Sequence, residues 1–415
     1  MKFENLGLIN PILRSLNERN YIKATEIQGK AIPLILKRKD ILGCAQTGTG
    51  KTAAFALPII QLIEKIEKTR KPVLRSLIVT PTRELAIQIG DNIKEYSKYT
   101  SVKHTVIFGG VKQNKQVAEL KKGCHILVAT PGRLLDLESQ NLIDLSTIKI
   151  FVLDEADRML DMGFIHDIKK LLTLLPKKKQ SLVFSATMPD NIMSLANKIL
   201  HNPSKISVKA ISSTAETIQQ LLYFTNKNTK LKLLIHVLES RNIQQALLFC
   251  RTKHGADRVA RDLRKKNISC QSIHGGKSQN QRQNALKAFK ASKIRVLVAT
   301  DIAARGIDID KMEFVINYNI PNEAETYVHR IGRTGRAGEN GTSISLCEPE
   351  ENIYIKDIEK LIKLKIRRVE DHPFPQTDKP MTAAEKKEWN KEKQRRKQEF
   401  FANRKKSKSR SSRSR

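Results

Sequence analysis

The 415-residue chain lacks any long apolar run and has few cysteines, and both scarcities narrow its class. A membrane-spanning helix needs about 18 consecutive apolar residues, and no stretch approaches that length. Cys44, Cys124, Cys250, Cys270 and Cys347 stand singly, with no CxxC pair. An odd, unclustered set of this kind predicts a reducing compartment and argues against both a structural zinc and a disulfide framework. The opening MKFENLGLINPILRSLNERN carries charges through its apolar stretch and no cleavage-site pattern, so a signal peptide is not expected. Together these features predict a cytoplasmic protein. Acids are scarce as well: 42 Asp and Glu stand against 76 Lys and Arg, a net charge of +34. A field of that sign draws polyanions, and without a basic helix of strong apolar face the expected partner is nucleic acid rather than an anionic membrane.

What is present is a long alternation of strand and helix patterns. Phe3 to Tyr21 reads as a helical entry and Gln28–Lys37 as a helix leading to a short strand at Ile41. Strands follow at Ser76–Thr80, His104–Phe108, His125–Thr130, Ile148–Leu153 and Ser181–Phe184, with helices between them such as Glu84–Tyr99 and Phe164–Leu175. This is an α/β doubly wound pattern. The run Asn202–Thr217 opens on Asn-Pro and turns Ser/Thr-rich, predicting a linker with a boundary near residue 210. A second series then places strands at Ala246–Cys250, Ser269–Ile273, Ile294–Thr300, Phe314–Tyr318 and Ser343–Cys347, with helices at His254–Lys266 and Gln281–Ala291. HILVAT, ending at Thr130, and RVLVAT, ending at Thr300, echo each other, which predicts a duplicated domain with a cleft between the copies. The expected division is a first domain over 1–208, a linker over 209–217, a second domain over 218–368 and a basic tail over 369–415. Beyond Val369, DHPFPQTDKP is a proline-bearing break, and the closing RKKSKSRSSRSR is low-complexity and expected to be disordered when free.

Two motifs carry chemistry. In IKIFVLDEAD, Ile148–Asp157, an apolar strand buried on both faces ends abruptly in carboxylates, where α/β sheets bind ligands. About a hundred residues upstream, AQTGTGKT offers a phosphate cradle formed by Ala45, Gln46, Thr47, Gly48, Thr49, Gly50, Lys51 and Thr52. Gly48 and Gly50 let backbone N–H groups approach phosphate oxygens, and the helix beginning at Lys51 adds its N-terminal partial charge. Ala45 stands where the generic pattern has glycine. Lys51 is expected on the β- and γ-phosphates and the Thr52 hydroxyl on Mg²⁺. Asp154 is expected to hold Mg²⁺ directly or through water, and Glu155 to orient or deprotonate the attacking water. The pair predicts a nucleoside triphosphatase and leaves open what the energy drives.

The remaining motifs give the chain a resemblance. ATEIQ with Gln28, PTRELA at 81–86, GG at 109–110, TPGR at 130–133, DEAD at 154–157 and SAT at 185–187 resemble, in order, the first domain of the DEAD-box RNA helicases. FCRT at 249–252, ARGID at 304–308 and HRIGRTGR at 329–336 resemble the second. The likeness covers roughly residues 3–365, and DEADRMLDMGF with TKHGA looks closest to the bacterial RhlE-type branch. It implies two tandem RecA-like domains. Gln28 is similar to the glutamine that reads the adenine edge, with Phe3 stacking on the ring; Asn20, Ala24 and Glu26 replace the glycine and prolines usual around this motif. The resemblance implies that Arg333 and Arg336 reach the γ-phosphate from the second domain and that Asp308 accepts from the ribose hydroxyl. Pro81, Thr82, Arg83, Gly110, Thr130, Pro131, Gly132, Arg133, Arg251, Gln279, Arg282 and Thr300 match positions along the RNA path, where contacts go to phosphates and 2′-OH groups rather than bases. Asp157, Ser185, Thr187 and His329 match the coupling between hydrolysis and unwinding.

The implied activity is an ATP- and Mg²⁺-dependent RNA helicase that closes on ATP and single-stranded RNA, bends the strand and reopens after hydrolysis. An ATP-gated RNA clamp or annealing factor fits the same motifs, and a DNA translocase fits them less well. Ribosome assembly and RNA turnover both remain open as settings. From Gln376 to Arg415 the chain has 15 basic and 5 acidic residues, which predicts a nonspecific RNA tether.

Overall fold

The computed structural model of the protein describes residues 1–46, 48–66, 72–208, 218–304, 309, 312–335, 341–380, 385 and 395. The chain divides into two compact units, built on two seven-stranded sheets. The first sheet contains β1 (Ile41–Cys44), β2 (Ser76–Val79), β3 (His104–Ile107), β4 (Ile126–Ala129), β5 (Ile150–Leu153), β6 (Gln180–Ser185) and β7 (Ser204–Ser207). Their order is β3-β4-β2-β5-β6-β1-β7, and every pairing is parallel.

The parallel arrangement explains the continuous apolar runs. Successive side chains point to opposite faces, and helices cover both. In β5, Ile150 and Val152 join one core and Phe151 and Leu153 the other. The helix Lys51–Glu64, KTAAFALPIIQLIE, is apolar nearly all round because it is covered on more than one side. It packs on the sheet and also on the helix Glu26–Leu36, whose Ile27, Ala31, Ile32 and Ile35 share its core.

The second sheet contains β8 (Ile218–Phe224), β9 (Ala246–Phe249), β10 (Cys270–Ile273), β11 (Val296–Ala299), β12 (Phe314–Asn317), β13 (Gly341–Cys347) and β14 (Arg367–Arg368). Its order, β10-β11-β9-β12-β13-β8-β14, is the same permutation as that of the first. The echoing sequences HILVAT and RVLVAT supply β4 and β11, which hold the same place in the two sheets.

Besides the unexpected strands β8 and β14, three features depart from the sequence expectation. The entry splits into a 3-10 helix, Phe3–Leu6, closed by Gly7 at φ 76°, and a separate helix, Asn10–Glu18. Asn20 sits at φ 57°, a conformation that glycine adopts freely and asparagine tolerates better than most residues. Secondly, part of Asn202–Thr217 is strand: β7 pairs with β1, while 209–217, the expected linker, lies outside the described residues. Thirdly, the expected tail does not begin at 369. Val369 and Phe374 pack against the second unit's core. The Asn226 side-chain oxygen accepts from the N–H groups of Thr377 at 3.0 Å and Asp378 at 2.9 Å, and its Nδ2 donates to Thr377 Oγ1 at 2.7 Å. Beyond Pro380 only Glu385 and Arg395 are among the described residues.

Candidate active site

The strands β5, β6 and β1 are neighbours, so their carboxyl ends gather Asp154–Asp157, Ser185–Thr187 and Ala45–Thr52 at one pole of the first sheet. The loop after β1 is held from both sides. Ala45 N–H donates to Ser185 O at 3.0 Å. Gly50 adopts φ 91°, and a Cβ there would collide with Gln28 Nε2. That Nε2 donates to Gly50 O at 3.2 Å, while Gln28 Oε1 accepts from Thr25 N–H at 2.9 Å and so caps the helix Glu26–Leu36. Gln28 therefore grips the loop with one end of its amide and its own helix with the other. Thr49 Oγ1 donates to Gln46 O at 2.7 Å, and Lys51 and Thr52 open the following helix. Thr47 lies outside the described residues.

The charges at this pole are buried and paired. Lys51 Nζ lies 3.0 Å from Glu155 Oε1, and Glu155 Oε2 lies 3.0 Å from Arg158 Nε. Glu155 takes the left-handed conformation, φ 58°, which costs roughly 1–2 kcal/mol for a residue with a Cβ. Burial disfavours the Lys51 ammonium, but the charges of Glu155 and Asp154 outweigh it and hold its pKa above the usual lysine value. Burial pushes the Asp154 carboxyl up to about 7 against the pull of Lys51. Asp154 Oδ1 is buried without a hydrogen-bond partner among the described residues. A cation would satisfy that oxygen. That single buried oxygen fits Mg²⁺, which is commonly held by one or two protein oxygens, water and substrate phosphate.

Asp157 ties the acid loop to the end of β6. Its Oδ2 accepts from the N–H groups of Ala186 at 3.2 Å and Thr187 at 3.0 Å and from Thr187 Oγ1 at 3.1 Å; its own N–H donates to Ser185 Oγ at 3.1 Å. The expected neighbours thus share a single carboxylate clasp.

At the same pole, the ends of β2, β3 and β4 bring together Pro81–Arg83, Gly110 and Thr130–Arg133. Thr82 caps the helix Arg83–Tyr96 by accepting from Leu85 N–H at 3.3 Å, and Thr130 and Pro131 begin the helix Pro131–Ser139. Gly110, at φ 76°, leaves space that the Arg83 guanidinium fills. Arg133 Nη2 donates to Val111 O at 2.9 Å, and its Nη1 has no partner among the described residues. Burial first, then neighbouring cations, lowers the Arg83 pKa.

On the second sheet, Arg251 follows β9 and Thr300 follows β11; Gln279 and Arg282 lie in the first turn of the helix Gln279–Lys290, which follows β10. His329 lies on the helix Ala324–Ile331, and Arg333 is buried in the turn after it. The neighbouring Arg330 is structural: its Nη1 donates to Asn317 Oδ1 at 3.0 Å and Asn319 O at 2.7 Å. Asp308 and Arg336 lie outside the described residues. One expectation is corrected. Phe3 is only 3% exposed and packs in the first unit's core with Leu6, so its ring offers no open face for a base.

The DEAD/DEAH box helicase profile matches residues 25–195, and the helicase conserved C-terminal domain profile matches 229–338. The DEAD-box ATP-dependent RNA helicase CshA of Bacillus cereus is 43% identical over 368 residues, covering 89% of this chain and 69% of the relative. The chain belongs to the DEAD-box helicase family. RhpA of Helicobacter pylori, also a DEAD-box ATP-dependent RNA helicase, is 42% identical over 89% of this chain and 74% of its own length. Among solved structures, Saccharomyces cerevisiae Dbp5 bound to RNA and ADP BeF3 is 31% identical, with a TM-score of 0.78 over 89% of this chain and 95% of that one.

Two charged residues that pair with the expected ones, one in each unit, escaped the sequence reading. Arg158 follows the DEAD tetrad directly and lies three residues after its partner Glu155, a helical spacing that would have flagged it. Glu351 gave no such signal. It is fully buried 100 residues from Arg251, accepts from Arg251 Nη2 at 2.7 Å and Lys230 Nζ at 2.6 Å, and no motif marks it.

Proposed function

We propose that the protein is an ATP-dependent RNA helicase that hydrolyses ATP to ADP and phosphate, grips RNA along its backbone without reading sequence, and locally unwinds short duplexes. The observation that carries this reading is the Lys51–Glu155 pair beside the unpartnered Asp154 oxygen, at the carboxyl ends of β1 and β5, the parallel strands on either side of β6. Lys51 exchanges Glu155 for phosphate oxygens when ATP enters. Glu155, still paired with Arg158, then orients or deprotonates the attacking water. Thr52 and Asp154 would hold Mg²⁺, which would supply charge neutralisation for the transferring phosphate. Arg333 and Arg336 supply further cations to that phosphate and Asp308 accepts from the ribose. Gln28 senses the nucleotide through its bond to Gly50.

Pro81–Arg83, Gly110, Thr130–Arg133, Arg251, Gln279, Arg282 and Thr300 carry the RNA strand. Their hydroxyls, backbone amides and guanidinium groups suit phosphate and 2′-OH contacts. The Asp157 clasp on Ser185 and Thr187, with His329, couples hydrolysis to the grip on RNA. ATP and RNA favour the same state, so each raises the affinity for the other. The domains run over 1–208 and from 218 through 378, joined by 209–217; the docking of 369–378 on the second core supports the later end. DEADRMLDMGF and TKHGA support a place near the RhlE-type branch. The five free thiols suit the cytoplasm, and structured RNA, as in ribosome assembly or turnover, is the substrate class.

Steady-state ATP hydrolysis with and without single-stranded RNA tests this reading. RNA should stimulate turnover strongly, Lys51→Ala should abolish it, and Glu155→Gln should bind ATP and RNA yet lose hydrolysis. Turnover indifferent to RNA would remove the helicase mechanism. Displacement of a short duplex strand separates unwinding from an ATP-gated clamp.

A further inference from the structure

The opposite pole of the first sheet holds a cavity of about 700 Å³. Because the strands are parallel, the segments entering them converge there: residues 38–40 before β1, Arg75 before β2, Lys149 before β5 and 178–180 leading into β6. Six lining side chains are cationic, Arg38, Lys39, Arg75, Lys149, Lys178 and Lys179, against the single carboxylate of Asp40. Asp40 is already engaged by the backbone. Its Oδ1 accepts from Ser181 N–H at 2.8 Å and its Oδ2 from His201 N–H at 2.7 Å. Burial lowers the Lys179 pKa despite the attraction of Asp40, so a cation is partly stripped of water here without a full counter-charge.

Two further observations set this cavity apart from an ordinary basic surface. Arg38 occupies the left-handed position that ends the helix Glu26–Leu36, at φ 60°, where glycine is the usual choice. Most other non-glycine residues with positive φ in this protein are asparagines, Asn20, Asn141, Asn202, Asn242 and Asn267, so an arginine is kept there against backbone preference. The lining also has an apolar part, the exposed Ile66 with the buried Leu62, Ile63 and Ile150 behind it. Beside them Gln180 donates through Nε2 to Ile35 O and Lys39 O, while its buried Oε1 has no partner among the described residues. The volume falls in the range of small-molecule sites, roughly 300–1,000 Å³. A bare phosphate backbone would make no use of the apolar floor.

We propose that this cavity binds a small organic polyphosphate with a flat apolar moiety, of the nucleoside polyphosphate class, at a site separate from the P-loop. The phosphates meet the lysines and arginines, and the apolar moiety lies on the exposed Ile66 and the aliphatic stems of the lining cations. The test is fluorescence anisotropy of N-methylanthraniloyl-GTP titrated into the full chain, with ADP and Mg²⁺ saturating the P-loop. Saturable binding should persist under ADP and in Lys51→Ala, and weaken by about tenfold or more in Lys149→Ala/Lys178→Ala. The double variant should keep its RNA-stimulated ATP hydrolysis, which shows that it is folded. Absence of saturable binding, loss of binding with ADP or in Lys51→Ala, or parental affinity in the double variant overturns the proposal. Inorganic tripolyphosphate binding as tightly as the nucleotide would remove any role for the apolar floor and overturn it too. Complete displacement by an oligouridylate would make the cavity an RNA-backbone contact instead.

Discussion

Glu351 shows how a single buried charge can hold an exposed one in place. Its two oxygens are divided between Lys230, itself buried, and Arg251, which is 40% exposed at its side chain. Asn319 Nδ2 also donates to Glu351 Oε1 at 3.2 Å, and Asn319 Oδ1 accepts from Arg251 N–H at 3.2 Å. Removing the carboxylate leaves the Lys230 ammonium buried without its closest partner, a loss that costs roughly 3–5 kcal/mol. Glu351→Ala should therefore lower the melting temperature substantially, and Glu351→Gln, which keeps the shape and one acceptor oxygen, should lower it less. In the glutamine variant Arg251 is less firmly aimed, so the RNA concentration for half-maximal ATPase stimulation should rise while turnover at saturating RNA stays near the parent's. A Glu351→Ala protein that melts with the parent would show that the triad carries no stability.

At the scale of elements, legibility followed burial. The strands of the sheet centre are short apolar runs such as IFVL and VLVA, fully buried, and they stand out from their surroundings. β7 is an edge strand in which only Ile206 is buried, and the sequence SKIS has no pattern to betray it. β8 is hard to read because IQQLLYF mixes two glutamines into the run, yet it is the counterpart of β1 and pairs with β13 over its whole length. The P-loop, acid strand and Asp157 clasp were legible because close approach to phosphate or carboxylate restricts the residue types. The enclosure of Phe3 was not, since an aromatic suits a core and a stacking platform equally. The segment 369–378 was missed because its prolines and polar residues imitate a linker, while its attachment comes from Asn226, some 150 residues away. Asn226→Ala removes three hydrogen bonds to that segment. It should lower the thermal stability of the second unit by about 1–3 kcal/mol and increase protease cleavage within 369–378. Parental cleavage would mean that Val369 and Phe374 hold the segment without the clasp.

For the whole molecule the governing quantity is charge. Residues 381–415 carry 14 basic and 4 acidic side chains, a net +10, which leaves +24 of the total +34 on residues 1–380. The preceding chain is thus strongly basic by itself, and a tail acting as the expected tether would add to its attraction for RNA rather than supply it. Each phosphate neutralised on a single strand adds about 0.7 to the slope of log affinity against log salt. Ending the chain after Pro380 should weaken RNA binding at low salt and flatten that slope, with ATP turnover at saturating RNA unchanged. Ending it after Arg368 removes those charges together with the docked segment, whose Glu370, Asp371 and Asp378 outnumber Lys379 and cut the net loss to +8, so it should lower stability as well. The two truncations separate charge from packing: a flattened slope in both with lowered stability only in the shorter chain is the expected pattern. An unchanged slope after truncation at Pro380 would show that the basic end does not touch RNA phosphates, and the attraction would then belong to the preceding 380 residues alone.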